Sequence, residues 1–249
     1  MSYEYSFASC YDVFTDGVNY SDRADYICSL MEKNGISEGT ILDTACGTGS
    51  LSEMFLKKGF EVVANDISYN MLNIAREKLS VFGDKVLLLC QDMCELDLYG
   101  TVDAAVCSLD SINHLIEEDE VEAAFLSIGK FIRPDGLFIF DINTLYKHRS
   151  VLSGNTFVYE DDENTFLVWQ NSECDSDDVI EMFIDIFSKD DDGRYIRQND
   201  YIIERAYSVD FLKNTLINCG FEVLGVYGDM KLTSPQNDEE RIYFLAKKK

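Results

Sequence analysis

The run Thr40-Ile-Leu-Asp-Thr-Ala-Cys-Gly-Thr-Gly-Ser50 carries the most legible chemistry of the chain. A short apolar stretch ends in an acid, Asp43, and a tight turn with Gly47 and Gly49 leads into a helical pattern near Ser50. Strand, turn and helix in that order present backbone N–H groups at a helix N-terminus, where polar groups of a ligand dock. The acid narrows the choice of ligand, because a carboxylate beside the turn repels phosphate and suits a cation. A dinucleotide turn of the form GxGxxG would need glycine at 52, where Ser52 stands, and no Lys-Ser/Thr pair makes a phosphate loop.

Acids close the next strand patterns too. Phe60-Glu-Val-Val-Ala-Asn-Asp66 ends in Asp66, near the ~20-residue offset at which such folds place a ribose-binding carboxylate. Ser68 is then placed to cap a helix with apolar residues at 71, 72, 75 and 79. Val86-Leu-Leu-Leu-Cys-Gln-Asp92-Met93 repeats the pattern, and a fourth strand over 102–108 runs into Leu109-Asp110-Ser-Ile-Asn-His114.

These four strand ends, in this order, resemble the class I S-adenosylmethionine (SAM)-dependent methyltransferases, in particular bacterial small-molecule relatives with a β-rich insert. The resemblance implies a Rossmann-like α/β fold, a seven-stranded sheet with its last strand antiparallel, and a small antiparallel β insert. It implies that Asp43, Ala45, Cys46, Gly47 and Gly49 hold the methionine part of the cofactor, with alanine at 45 where the family usually has glycine. Asp66, followed by Ile67, would take the ribose hydroxyls. Met71 would cover an adenine face, and Asp92 and the Met93 amide would meet the adenine edge. Leu109 would belong to the loop that faces the transferred methyl. The opening Phe7-Ala-Ser-Cys-Tyr-Asp12 resembles a cover helix of these relatives. From it and just beyond, Tyr11 and Tyr20 would either reach the cofactor carboxylate or pack as aromatic cover.

The implied activity is in-line methyl transfer to a small-molecule acceptor through N or O. An amine or hydroxyl acceptor usually needs a base, and His114 or Asp110 can serve. His148, flanked by Lys147 and Arg149, reads as exposed, and Glu204 and Arg205 read as charges paired across a sheet. In relatives a histidine often precedes that Glu/Gln-Arg pair by two residues; Ile202 stands there here. The alternatives are a non-catalytic SAM-binding protein, an NAD-dependent oxidoreductase or an aminopropyl transferase.

The elements that must position these groups are readable as well. Strands and helices alternate from 40 to 141, with a helix near 119–132 broken by Arg133-Pro-Asp-Gly136 and a fifth strand over 137–141. Residues 155–207 turn β-rich, with acidic turns between the runs. Ser208 caps a helix through Asn218, and runs at 221–227 and 241–246 end the chain. This divides the chain into a core over 1–148 and 205–249 and an insert over 149–204 that acts as a substrate lid.

The 249 residues, 46% hydrophobic, are enough for one sizeable core. The net charge of −25 disfavours nucleic acid, whose phosphates call for a basic patch. It could steer a cation. No apolar run approaches the ~20 residues of a membrane span, and no signal peptide is visible, so a cytoplasmic monomer or homodimer is expected. None of the eight cysteines forms a CxxC pair, and the Cys90-x-x-x-Cys94 spacing lacks a companion, so no metal is expected.

Overall fold

The computed structural model describes residues 8, 11, 12, 15, 17–160, 165–190 and 192–249. Phe7 and Cys10 of the N-terminal motif, the acidic run 161–163 and Asp191 lie outside the described residues.

Five strands and four helices alternate first: α1 (Tyr20–Lys33), β1 (Thr40–Thr44), α2 (Ser50–Lys57), β2 (Glu61–Asp66), α3 (Tyr69–Leu79), β3 (Val86–Cys90), β4 (Val102–Cys107), α4 (Glu118–Phe131) and β5 (Ile132–Asn143). The β-rich part follows as β6 (Thr156–Glu160), β7 (Thr165–Asn171), β8 (Val179–Lys189) and β9 (Tyr195–Arg205). Then come α5 (Val209–Asn218), β10 (Phe221–Gly228) and β11 (Arg241–Lys248).

One sheet has the order β10-β11-β5-β4-β1-β2-β3. The pairs among β1 to β5 are parallel. The last strand, β11, is antiparallel to both neighbours, β5 and β10. The register sets Thr44 beside Asn65 and Asp66 beside Cys90, so the C-terminal ends of the parallel strands emerge along one edge. Ligands of open α/β sheets bind outside that edge.

Each face of the sheet carries its own apolar layer. Ile27, Met31, Phe55 and Leu79 from α1, α2 and α3 cover one face, and Phe125, Ile128, Leu212 and Leu216 from α4 and α5 cover the other. The buried residues of α3 are Met71, Leu72, Ala75 and Leu79, the four whose spacing predicts its apolar face. Ser68 caps it, its hydroxyl accepting from the Met71 amide at 3.3 Å.

The helix expected over 119–132 stops at Phe131, and β5 begins at Ile132 rather than Leu137. Ile132 pairs with Val102 ahead of the turn, and pairing resumes at Ala104 and Leu137 across an irregularity. The break at Arg133-Pro-Asp-Gly136 is thus a bulge inside the strand, with Asp135 at φ 63°.

β6 to β9 form a separate antiparallel meander. In β8 the even positions Ile180, Met182, Ile184 and Ile186 are buried, while Phe183 faces outward. The apparently continuous Met182-Phe-Ile184 is therefore ordinary strand alternation with an aromatic on the outer face, where Phe183 meets Tyr201 at 5.2 Å. The inner face packs with Leu152, Ala8 and Met71, so the insert closes over α3 and the N-terminal segment.

Candidate active site

A cavity of about 430 Å³ lies between the strand ends and the insert. It is lined by the N-terminal segment through Tyr11 and Tyr20, by the β1 turn, by the ends of β2, β3 and β4, and by the inner face of the insert.

The β1 turn is held from two sides. Asp43 is buried, and the Ser52 hydroxyl donates to its Oδ2 at 2.5 Å. Burial is the main force that pushes the Asp43 carboxyl up to about 7; the Ser52 hydrogen bond opposes it, and nearby Asp66 adds to it. An ion this costly to bury calls for a cation. Ala45 sits at φ 55°, a left-handed conformation that explains the usual glycine there. A side chain at Gly47, φ 55°, would project into open space, so this glycine leaves room at the cavity wall. Gly49 does not line the cavity. A Cβ there would approach Leu79 Cδ1 to 3.0 Å and Ala75 to 3.2 Å, so this glycine lets α2 and α3 pack closely.

Asp66 accepts from two backbone amides, Gly47 N at 2.8 Å and Ser68 N at 2.7 Å. It thereby fixes the glycine turn relative to α3, and each carboxylate oxygen keeps a further lone pair. Burial pushes its pKa up. Ile67 and Met71 line the cavity beyond it, and so do Asp92 and Met93 after β3. Asp92 Oδ1 accepts from the Cys94 amide at 2.8 Å and so starts the short turn Met93–Glu95. Burial raises the phenols of Tyr11 and Tyr20 and the thiol of Cys46, so all three keep their protons near neutrality. Asp12 beside Tyr11 takes Lys78 Nζ at 2.6 Å and the Thr48 hydroxyl at 2.5 Å, which ties the N-terminal segment to the β1 turn and α3.

The loop after β4 is the most constrained part of the wall. Leu109 and Asp110 are both left-handed, at φ 57° and 56°. Asp141, buried in β5, holds them there. It accepts from the Ser108 hydroxyl at 2.5 Å, from Leu109 N at 2.9 Å and from Asp110 N at 3.3 Å. Arg241, the first residue of β11, bridges Asp141 and Asp110, reaching Asp110 Oδ1 at 2.6 Å. Despite the burial that opposes it, Arg241, with Lys147 and His114, drives the Asp110 pKa well below the usual carboxylate range. A carboxylate so neutralised is a weak base.

His114 lines the same cavity as the β1 turn, with Nε2 at 4.0 Å from Glu204 Oε1. Glu204 is buried and does not pair with Arg205 across the sheet as expected. Strand alternation turns it inward, where Asn143 Nδ2 donates to it at 3.1 Å and His148 Nε2 lies at 3.4 Å. Arg205 points the other way, donating to the Ile116 carbonyl at 3.0 Å over the Tyr207 ring. The expectation that His148 is exposed is likewise corrected. The chain around it winds as a π-helical turn, Lys147–Leu152, which buries His148 fully while Arg149 reaches outward to Asp178. Asn113 joins the seam. Its Nδ2 donates to the carbonyls of Asn143 and Arg205 at 3.1 and 2.9 Å, and its Oδ1 accepts from Asn143 N at 2.9 Å.

Asp141, Asn143, Lys147 and Arg241 were not singled out from the sequence. The signal for Asp141 was present, since it closes a strand as Asp43 and Asp66 do. Arg241 opens an apolar strand distant in sequence, and nothing local marks it. Among the described residues, Asp110, His114 and Glu204 bring one ligand atom each within 4.8 Å of one another. Arg241 and Lys147 beside Asp110 would compete there with any bound cation.

An open sheet of this order, with acids at successive strand ends and a cavity above them, defines a class I methyltransferase. The comparisons agree: residues 41–136 match the family described as a methyltransferase domain. A crystal structure of a SAM-dependent methyltransferase from Clostridium acetobutylicum ATCC 824 superposes with a TM-score of 0.87 at 33% identity, covering 98% of each chain. The chain is 34% identical to YqeM of Bacillus subtilis (strain 168), provisionally named a methyltransferase, over 97% of this chain and 96% of that one. It is 24% identical to a glycine/sarcosine N-methyltransferase of Halorhodospira halochloris, over 95% of this chain and 86% of that one. The chain belongs to the SAM-dependent methyltransferases. It is a methyltransferase enzyme, and SAM is its cofactor. The donor set fits that cofactor: a buried carboxylate in need of a cation, an open cradle at Gly47, and hydrogen-bonding groups spread along the cavity wall.

Proposed function

We propose that the protein transfers the methyl group of SAM to the nitrogen of a small-molecule amine, with Asp43, Ala45, Cys46, Gly47, Asp66, Ile67, Met71, Asp92, Met93, Tyr11 and Tyr20 forming the cofactor half of the cavity. Gly49 supports that half by close packing, and Leu109 shapes the side facing the methyl. The observation that carries the reading is the buried Glu204 carboxylate, which the insert brings to His114 in the cavity that the β1 turn also lines. It has no Lys or Arg partner among the described residues, so an ammonium group completes it.

SAM supplies a methyl group made electrophilic by its sulfonium. Glu204 draws the acceptor's ammonium into the seam, and His114 takes one proton, leaving the nitrogen lone pair free. With SAM bound, that pair would take its methyl group, the electrons of the C–S bond passing to sulfur. The methylated nitrogen leaves as an ammonium, and His114 returns the proton it took to water. Alignment of the two reactants supplies much of the rate. Asp110, already committed to Arg241, keeps the Leu109 loop in place and is not assigned the proton.

The division into a cofactor core over 1–148 and 205–249 and a lid over 149–204 belongs to this reading, as does a cytoplasmic location. Among the described residues no helix is long and apolar enough to cross a membrane. The test is His114→Ala and Glu204→Gln, assayed by S-adenosylhomocysteine release with amines. Each is expected to lower turnover by about 10²–10⁴-fold with SAM affinity little changed. Full activity in both variants would remove the base from this seam. A protein that binds SAM but methylates nothing would favour the non-catalytic alternative.

A further inference from the structure

The insert wall of the cavity limits what the acceptor amine can be attached to. Its inner face offers Leu167, Trp169, Met182, Ile184 and Ile202. Trp169 pairs with Ile184, and Met182 with Ile202, so the apolar side chains form adjacent rows rather than isolated contacts. Trp169 does not add a free donor, because its Nε1 donates to Asn171 Oδ1 at 2.6 Å. Among the described residues the other polar groups this wall brings to the cavity are Glu204, at the seam with the core, and Tyr159, at the rim. The cations lie on the core side. Arg241 is occupied by Asp110, Asp141 and Asn143, and Lys147 donates to Asn143 Oδ1 at 2.9 Å.

Resting on the amine reading above, we propose that the acceptor is an amine carried on an apolar body, aryl or branched alkyl, rather than an amino acid or an amino sugar. The nitrogen sits between Glu204 and His114, and the body lies on the rows of Trp169 and Met182. A sugar placed there would strand hydroxyls against carbon, each costing about tenfold or more in affinity. An amino acid would bring a carboxylate to a wall that offers it no cation. Apolar contact with this wall is favourable in proportion to the area covered.

The test uses the full-length protein with SAM and four acceptors: an arylalkylamine, a branched alkylamine, glycine and a 3-aminohexose. Methylation is read by S-adenosylhomocysteine release and by mass of the product. The apolar amines are expected to exceed glycine and the aminohexose in kcat/KM by about 100-fold or more. Ile202→Asn is expected to erase most of that preference while SAM affinity by calorimetry stays within about twofold. Higher kcat/KM for glycine or the aminohexose overturns the proposal and leaves N-methylation standing. Methylation of the matching phenols and alcohols but of no amine instead overturns the amine reading, and the proposal with it. Melting of the S-adenosylhomocysteine complex gives a second measurement independent of turnover. Stabilisation by the apolar amines supports the proposal, and its absence overturns it.

Discussion

Asp66 does two jobs at the scale of single residues. Its oxygens fix Gly47 and Ser68, so Asp66→Ala would loosen the turn as well as remove the ribose acceptor proposed above. Asp66→Asn keeps the size but only one acceptor oxygen, so its NH2 must face either the Gly47 or the Ser68 amide. It is expected to weaken SAM binding by about 10–150-fold, from the ~1.5–3 kcal/mol of a hydrogen bond to a charged group, and to lower the melting temperature through the lost backbone bond. Unchanged affinity by calorimetry would remove the ribose assignment. Asp43 makes a different prediction, because its folded pKa of about 7 stands above the ordinary 3.8. Its contribution to stability is fully present below pH 3.8 and is lost as pH rises through about 7. A bound cation reverses the balance by favouring the carboxylate. SAM binding below pH 7 should therefore release a proton, visible as a dependence of the calorimetric heat on buffer ionisation enthalpy. Asp43→Asn should abolish the part of that release that Asp43 carries, and no change from the parent protein would place the cofactor's charge elsewhere.

Elements show which parts of the fold were legible. The strands ending at Asp43, Asp66 and Asp92 could be read because apolar runs and acids lie close together in sequence, and the four-stranded insert because its acidic turns punctuate it. The seam was not legible. Glu204 faces inward only because of the alternation of β9, His148 is buried only because a π-helical turn rotates it, and Arg241 reaches Asp110 only through the strand order β11-β5-β4. None of these leaves a local pattern. The tie between the N-terminal segment and α3 yields a prediction at this scale. Asp12 and Lys78 are partly exposed, with 41% and 22% of their side chains open, and such a pair contributes only about 0–1 kcal/mol. Lys78→Met should weaken SAM by no more than about fivefold, and added salt should shrink the difference. A hundredfold loss would show that Lys78 supports the β1 turn itself.

For the whole molecule the dominant property is its charge of −25. SAM carries a sulfonium and S-adenosylhomocysteine does not, so the pair isolates the effect of the field. Association of SAM should slow as salt is raised from low levels towards about 1 M, where the Debye length falls to ~3 Å, and association of S-adenosylhomocysteine should hardly change. Equal salt dependence would mean that the field acts on something other than the sulfonium.

Asn113 has a kinetic corollary. One buried amide binds the end of β5 and the end of β9 to the β4 loop; two of its bonds stay within the core, and the one to the Arg205 carbonyl anchors the base of the insert, so the insert cannot swing like a jaw about this point without breaking that bond. Deuterium exchange would test this: the Asn143 amide should exchange only on global unfolding, and early exchange there would show that the anchor gives way in the native state. Catalysis at this seam would proceed on a fixed floor.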